Sequence, residues 1–450
     1  MRTSDTMRML RLTVHSLTSR ARKSKIASST GIMTVGMSLR LILQMASFLL
    51  VTRYMGAGEF GAFVSVAASV AIISAFSGWG AEQLLIRAVA HAPSAFGRAF
   101  GSATAFLALS APPLVATAYV IIPIFTAATI SRQLILYVAI ADIVFARIND
   151  ITAGCYLAVN QPIGNVRQNL GFSGARLAGA LLWIALSTKH DAQSWAVYYF
   201  GVSGLYAAVS VWQICRDLGL PVWNIAWREW RDGLHFSLQA ASFLAFGNID
   251  KPVVALLSNL SAAGRYAAGF RIVEAAVVPV RALVYSTYAR FFQLGVAGVH
   301  ESLKFAIRLL PVAVGLALIG SFGVVMIARV APHLLGAGYA GTETIIYILA
   351  ALPVLYAFYY LAADVLVSSN YTGSRTLLQC LMPLLRITLC VVLVPVHGAV
   401  GAAIAALLSY STMAVVAWAL ALVLAVRARR LATPALELPG EPRVGGAGQG

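Results

Sequence analysis

Twelve ionisable side chains lie inside stretches of the 450-residue chain that are otherwise apolar: the basic Arg40, Arg147, Arg176, Lys251, Arg271, Arg281 and Arg386, and the acidic Asp142, Asp150, Asp250, Glu274 and Asp364. An ionisable group at the middle of a bilayer costs at least about 2.5–3.5 kcal/mol on insertion scales, so each needs a partner, an aqueous cavity or a function. Arg147 with Asp150 and Arg271 with Glu274 are three positions apart, which is neighbour spacing on a helix, and read as structural ion pairs. Asp250 and Lys251 are adjacent and so point in different directions, which leaves Asp250 to face a basic residue on span eight. Arg40, Arg176, Arg281 and Arg386 have no acid within four positions. They are paired across helices, reach to a headgroup, or share an anion site, and the planar guanidinium fork suits a pyrophosphate. The expectation is a cationic substrate-binding cavity of Arg40, Arg176, Arg281 and Arg386, with Lys251 and Arg271 as weaker members. Asp142 and Asp364, acids without a same-helix partner, are the candidates for coupling to a proton or sodium gradient.

Other chemistry is absent from the pattern. Seven histidines are scattered with no i, i+4 pair, and Cys155, Cys215, Cys380 and Cys390 form no CxxC motif, so no metal, cofactor or disulfide framework is expected. Tyr356, Phe358, Tyr359 and Tyr360 cluster in one apolar stretch and Tyr285 and Tyr288 in another. Sugars stack on such rings, although packing is their commoner role.

The elements that must position these residues are membrane spans. Apolar residues make up 60% of the sequence and charged residues 11%, with a mean hydropathy of +0.81, against roughly 25% charged in a soluble domain. A spanning helix takes about 20 apolar residues. Twelve such stretches fall at about 31–52, 60–80, 100–125, 133–157, 169–188, 195–214, 234–258, 266–289, 304–328, 343–368, 376–395 and 398–426. The predicted fold class is therefore all-α integral membrane, with about twelve transmembrane helices in two six-helix halves, 31–214 and 234–426. A basic tail (1–30), an interfacial linker (215–233) and a disordered tail (427–450) complete the expected domains. The linker has Trp223, Trp227 and Trp230 at helical spacing, which reads either as a short interfacial helix or as a plain aromatic belt around a connector.

The net charge of +17 is spread over tails and loops, which argues against nucleic acid. With both termini cytoplasmic, only Arg53, Arg132, Lys189, Arg265 and Arg329 fall in outer loops, as the positive-inside bias requires. Pro112, Pro113, Pro252, Pro279, Pro311, Pro353 and Pro383 interrupt spans, which tilts the reading toward a protein that moves. A weak echo between Gly58-Glu59-Phe60-Gly61-Ala62 after span one and Gly264-Arg265-Tyr266-Ala267-Ala268 after span seven supports two related halves.

Four pieces of sequence, in order, carry a resemblance. After span one stand Arg53, Gly56, Glu59, Phe60 and Gly61; span two ends with Gly80, Glu82, Leu85 and Arg87. Residues 248–292 contain Asp250 and Lys251, a Gly264-x-Tyr266 turn, then Arg271, Glu274 and Pro279. LLGAGYAGTE (334–343) and VHGAVGAAIAALLSY (396–410) follow. This pattern resembles the polysaccharide and O-antigen flippases of the multidrug/oligosaccharidyl-lipid/polysaccharide (MOP) exporter superfamily, and it covers nearly all of residues 30–425. One departure is that Ser77 or Gly78 stands where the family usually carries an acid.

The resemblance implies a carrier without enzymatic activity in the bacterial inner membrane, which moves an undecaprenyl-pyrophosphate-linked oligosaccharide for O-antigen or exopolysaccharide assembly. Its implied partners are the lipid-linked oligosaccharide, membrane lipids, a polysaccharide polymerase and a chain-length regulator. A membrane-embedded polymerase or ligase is the alternative from another class, disfavoured by the short outer loops. A drug exporter of the same superfamily would share the fold but favours acids over arginines in its cavity.

Overall fold

The computed structural model describes residues 2–126, 130–223, 230–296 and 298–432, and the elements among them are helical. Two helices are too long for one crossing. The apolar part of α1 (Arg2–Ser74) runs Ile32–Ser74, and that of α16 (Thr372–Ala432) runs Thr372–Ala428, 43 and 57 residues. At 1.5 Å per residue the shorter is about 65 Å, twice the hydrocarbon core of about 30 Å. Each is broken at a glycine: Gly56 has φ 75° and Gly398 has φ 55°, conformations outside the helical region that a residue with a Cβ rarely adopts. The first break falls between the expected spans one and two, and the second at the first residue of the expected span twelve.

Among the described residues six helices are long and apolar enough to cross a bilayer, and α8 (Trp230–Asn248) with α9 (Asp250–Leu257), bent by 44°, forms a seventh. Dividing α1 and α16 at their glycines brings the crossings to nine. The remaining three carry more polar residues: α4 (Arg132–Ile140) continued through a π-helical segment (Ala141–Phe145) into α5 (Ala146–Ala158); α7 (Ala192–Leu218); and α10 (Leu260–Ala276) with α11 (Val278–Gly295). The other spans are α3 (Phe96–Ile121), α6 (Pro162–Leu186), α12 (Val299–Ala328), and α14 (Thr342–Leu349) with α15 (Leu352–Ser368); α2 (Ala81–His91) and α13 (Ala331–Leu335) are short. This is an all-α membrane fold of about twelve transmembrane helices.

The prolines divide into two groups. Pro252, Pro279 and Pro353 sit at the start of α9, α11 and α15, where the missing N–H is one a helix leaves unbonded anyway. Pro112, Pro113, Pro311 and Pro383 lie inside helices that continue through them.

The helix-to-helix turns after α5 and after α15 share one geometry. Asn160 and Asn370 have φ of 58° and 66°. The N–H of Gln161 donates to Tyr156 O at 2.8 Å, and that of Tyr371 donates to Leu366 O at 2.8 Å. This is the six-to-one closure of a Schellman cap, with asparagine supplying the left-handed residue. In the linker, α7 extends to Leu218 and residues 219–223 are non-helical, with the N–H of Val222 bonded to Gly97 O at 2.8 Å. Trp227, at the centre of the expected interfacial helix, lies outside the described residues, as do residues 433–450 of the expected C-terminal tail.

The chain folds as two compact units. The first comprises Met1–Ala275, Val325–Leu349 and Gln379–Ala406; the second comprises Ala276–Val324, Ala350–Leu378 and Leu407–Gly450. In the first, α1 packs along α6 while α6, α7 and α5 form a tight group, around fully buried Val66, Ala139, Ile143 and Trp183. The second is built on Val280, Phe291, Ala313, Leu361, Val365 and Ala421, with Trp418 Nε1 donating to Phe358 O at 2.9 Å.

Candidate functional site

The charged residues predicted within the spans fall into separate clusters. In the first unit, Arg40 on α1 donates to Asn169 Oδ1 on α6 at 2.8 Å. An amide oxygen satisfies the guanidinium without cancelling its charge. Arg176 on α6 lies 2.8 Å from Asp142 Oδ1, which also accepts from the Tyr199 hydroxyl of α7 at 2.7 Å. The guanidinium is sandwiched between Phe172 and Tyr199, 4.4 and 4.3 Å from the ring centroids. Asp142 belongs to the π-helical segment, where the widened turn rotates the residues on either side relative to a regular helix. Arg147 binds Asp150 at 3.0 Å and donates through Nε to Ser74 O at 3.0 Å, so this same-helix pair is also tied to the end of α1.

The most enclosed cluster surrounds Asp250. The break between α8 and α9 puts Asp250 in the first turn of α9, where the unbonded N–H groups favour a carboxylate. Its Oδ2 accepts from Arg386 on α16 at 2.9 Å and from the Tyr266 hydroxyl on α10 at 2.5 Å, with both members of the ion pair fully buried. Arg386 donates further to Phe246 O at 3.0 Å and Ala406 O at 3.3 Å. Lys251 curls back to Gly247 O at 2.6 Å and stands 3.5 Å from Asp250 Oδ1.

Three expectations are corrected by this cluster. Asp250 was to face a basic residue on span eight; it faces a tyrosine there and an arginine on span eleven. The side chains of Asp250 and Lys251 were to point apart; the flexible lysine stem brings the ammonium back to its neighbour. Arg386, predicted to line a cavity, is enclosed instead: at 0% exposure its terminal nitrogens donate to Asp250 and to two backbone carbonyls rather than to water.

Arg271 pairs with Glu274 at 3.3 Å, and both are partly exposed. In the second unit, Arg281 on α11 lies over the Tyr356 ring at 5.5 Å. Tyr356 stacks on Tyr360 and shares a hydroxyl hydrogen bond with Tyr410, so part of the predicted tyrosine cluster is assembled around this arginine. Asp364, 5% exposed, has no hydrogen-bond partner at Oδ2 among the described residues. Tyr285 is 72% exposed. The structure thus gathers the predicted residues into local groups of two or three.

Asn169, Tyr199 and Tyr266, each holding one of these charges, were not predicted. Neutral hydrogen-bonding groups are common in spans and give no spacing signal. An apolar groove of about 790 Å³ runs between α3 and the α4–α5 span, lined by Phe100, Leu107, Val115, Ile140 and Val144. No group of three or more His, Cys, Asp or Glu is placed to hold a metal among the described residues.

No protein-family model matches the chain, and no curated protein matches it. Solved structures do. A multidrug resistance MATE-family transporter of the MOP superfamily in an inward-facing conformation superposes with a TM-score of 0.70 at 13% identity, over 90% of this chain and 100% of that one. Lipid II flippase MurJ, inward closed, gives 0.66 at 12% identity over 86% of each. A MOP superfamily transporter from Pyrococcus furiosus, described as having a binding pocket of reverse polarity, gives 0.60 at 15% identity over 91% and 96%. At these identities the likeness is one of fold: the helical architecture is the one these solved transporters and the flippase share.

Proposed function

We propose that this protein is a flippase for a lipid-linked oligosaccharide with an anionic, undecaprenyl-pyrophosphate-type headgroup, acting in a bacterial inner membrane in O-antigen or exopolysaccharide assembly. The observation that carries this reading is positive charge retained inside the spans. Arg40 is held by an amide, and two cations, Arg386 and Lys251, lie against the carboxylate of Asp250. Cations in a membrane interior are stabilised by an anionic cargo, and the guanidinium of Arg40, hydrogen-bonded to an amide rather than to a carboxylate, is the best placed to bind one. Within the first unit, Arg176, Lys251 and Arg271 complete the proposed cationic surface and Arg386 contributes charge from behind Asp250; Arg281, in the second unit, offers a cationic group of its own. Coupling to an ion gradient falls to Asp364, whose Oδ2 has no hydrogen-bond partner among the described residues, and to Asp142, which holds Arg176.

Two six-helix halves with both termini cytoplasmic would alternate access. The matched Schellman turns at Asn160 and Asn370 support the repeat. That MurJ flips lipid II makes a lipid-linked cargo compatible with this fold. The short α6–α7 connection, residues 187–191, leaves little room for the catalytic loop that a polymerase or ligase needs.

The test is reconstitution of the purified chain into vesicles with a fluorescent lipid-linked oligosaccharide, followed by chemical quenching of the outer leaflet. Flipping should be fast with the native chain and abolished by Arg40→Gln at unchanged protein level. Quenching stalled at the outer-leaflet fraction, together with efflux of a cationic dye, would overturn the reading in favour of a drug exporter.

A further inference from the structure

Span two ends at Ser74, and the six residues that follow are unwound. Gly78, Trp79 and Gly80 all have positive φ, at 72°, 46° and 66°. A tryptophan in this region is strained, and such strain persists only where surrounding structure enforces it. Three elements do so. Ser77 Oγ donates to Ile143 O at 2.7 Å, Ser110 Oγ accepts from the N–H of Gly78 at 2.8 Å, and α8 presses Gly233 against the turn so closely that a Cβ on Gly233 would lie 2.2 Å from Trp79 O.

This unwinding places Glu82 in the first turn of α2, beside a small cavity of about 50 Å³. Glu82, Arg147, Asp150, Ser77 and Ser237 line it. The Glu82 stem lies on α5 at Gly154, where a Cβ would be 2.7 Å from Glu82 Cγ; Gly154 is one turn beyond Asp150. Arg147 is committed to Asp150 and Ser74. Among the described residues no hydrogen bond or salt bridge reaches the Glu82 carboxyl. Ser237, on α8, is 1% exposed, and among the described residues its Oγ has no hydrogen-bond partner. A buried hydroxyl without a partner costs free energy unless something enters to satisfy it. The cavity is large enough for a water. With both acids ionised it carries two negative charges against one positive.

We propose that this cavity is a proton-binding site, with Glu82 as the group that takes the proton and Ser237 as the group of α8 that senses it through the cavity. A proton on a Glu82 oxygen neutralises the surplus negative charge and gives the site an O–H donor for the orphaned serine or a water bridging to it. Burial, with the Asp150 carboxylate beside it and Arg147 opposing, pushes the Glu82 carboxyl up to about 7, so occupancy changes near neutral pH. The charged and titratable groups facing Glu82 are Arg147, Asp150 and Cys155 of α5. On α8 the cavity is lined by Phe236, Ser237 and Ala240, and Asp232 pairs instead with Arg87. Arg98 of α3 lines a separate pocket.

The test is pH-difference infrared spectroscopy of the full-length purified protein in lipid, which reads protonated carboxyl groups without any transport and so stands apart from the cargo assignment. Between about pH 6 and about pH 8 the native protein should lose a protonated-carboxyl band. With every variant made in an Asp364→Asn background, so that the other acid proposed for coupling adds nothing to the band, Glu82→Gln should remove it, Ser237→Ala should shift its frequency, and Asp150→Asn should move its loss to lower pH, because removing a neighbouring negative charge favours ionised Glu82. Persistence of the full band in Glu82→Gln overturns the proposal. Should that variant fail to fold, an Asp150→Asn midpoint equal to the native one overturns it equally.

Discussion

Arg386 and Asp250, 136 residues apart in sequence, meet at 2.9 Å with neither side chain exposed. Removing one partner of a buried pair strands the other charge, at a cost of about 3–5 kcal/mol. Asp250→Asn leaves both Arg386 and Lys251 without their carboxylate and should lower the thermal melting temperature of the detergent-purified protein sharply. Replacing Arg386 and Asp250 together by leucines should be milder than Arg386→Leu alone. Equal losses in the single and double variants would show that the pair is not coupled.

Gly61 and Gly264 pack backbone against backbone within the first compact unit. A Cβ on Gly61 would stand 1.7 Å from Leu260 O, and one on Gly264 would stand 1.9 Å from Ala57 O. Neither obstacle is a side chain that can swing away. Alanine at either position should cost about 1–3 kcal/mol through overpacking, whereas Gly58→Ala, which meets nothing within 4 Å, should be close to neutral. Melting curves of the three variants check this ordering.

Asn160 and Asn370 hold left-handed conformations at two helix ends. Glycine at either should be tolerated. Valine should destabilise by about 1–2 kcal/mol, the cost of left-handed backbone for a residue with a Cβ. If Asn160→Val and Asn370→Val melt like the native chain, the two caps are not what fixes these turns.

Asp142 joins Arg176 and Tyr199 across three helices. Tyr199→Phe removes one hydrogen bond to a charged acceptor, worth about 1.5–3 kcal/mol, and Asp142→Asn removes the countercharge as well. The second should therefore be the more destabilising, and adding Arg176→Gln to it should restore part of the loss. A double variant less stable than Asp142→Asn would contradict the pairing.

The apolar stretches were legible because a bilayer imposes their length and composition residue by residue, and the glycines that separate spans one and two and spans eleven and twelve lie within or beside motifs visible in the sequence. Arg147 with Asp150 and Arg271 with Glu274 were legible too, since three positions along one helix fix a neighbour without further information. The partners of Arg40, Arg176 and Arg386 were not. Asn169 lies 129 residues from Arg40, and which residue meets a given arginine depends on the rotation and depth of each helix against the next, which packing alone sets. The Glu82 cavity had the same origin. The sequence placed an acid after a glycine turn, but only α5 and α8 closing on the unwound end of span two made a small polar cavity with an unsatisfied serine beside it.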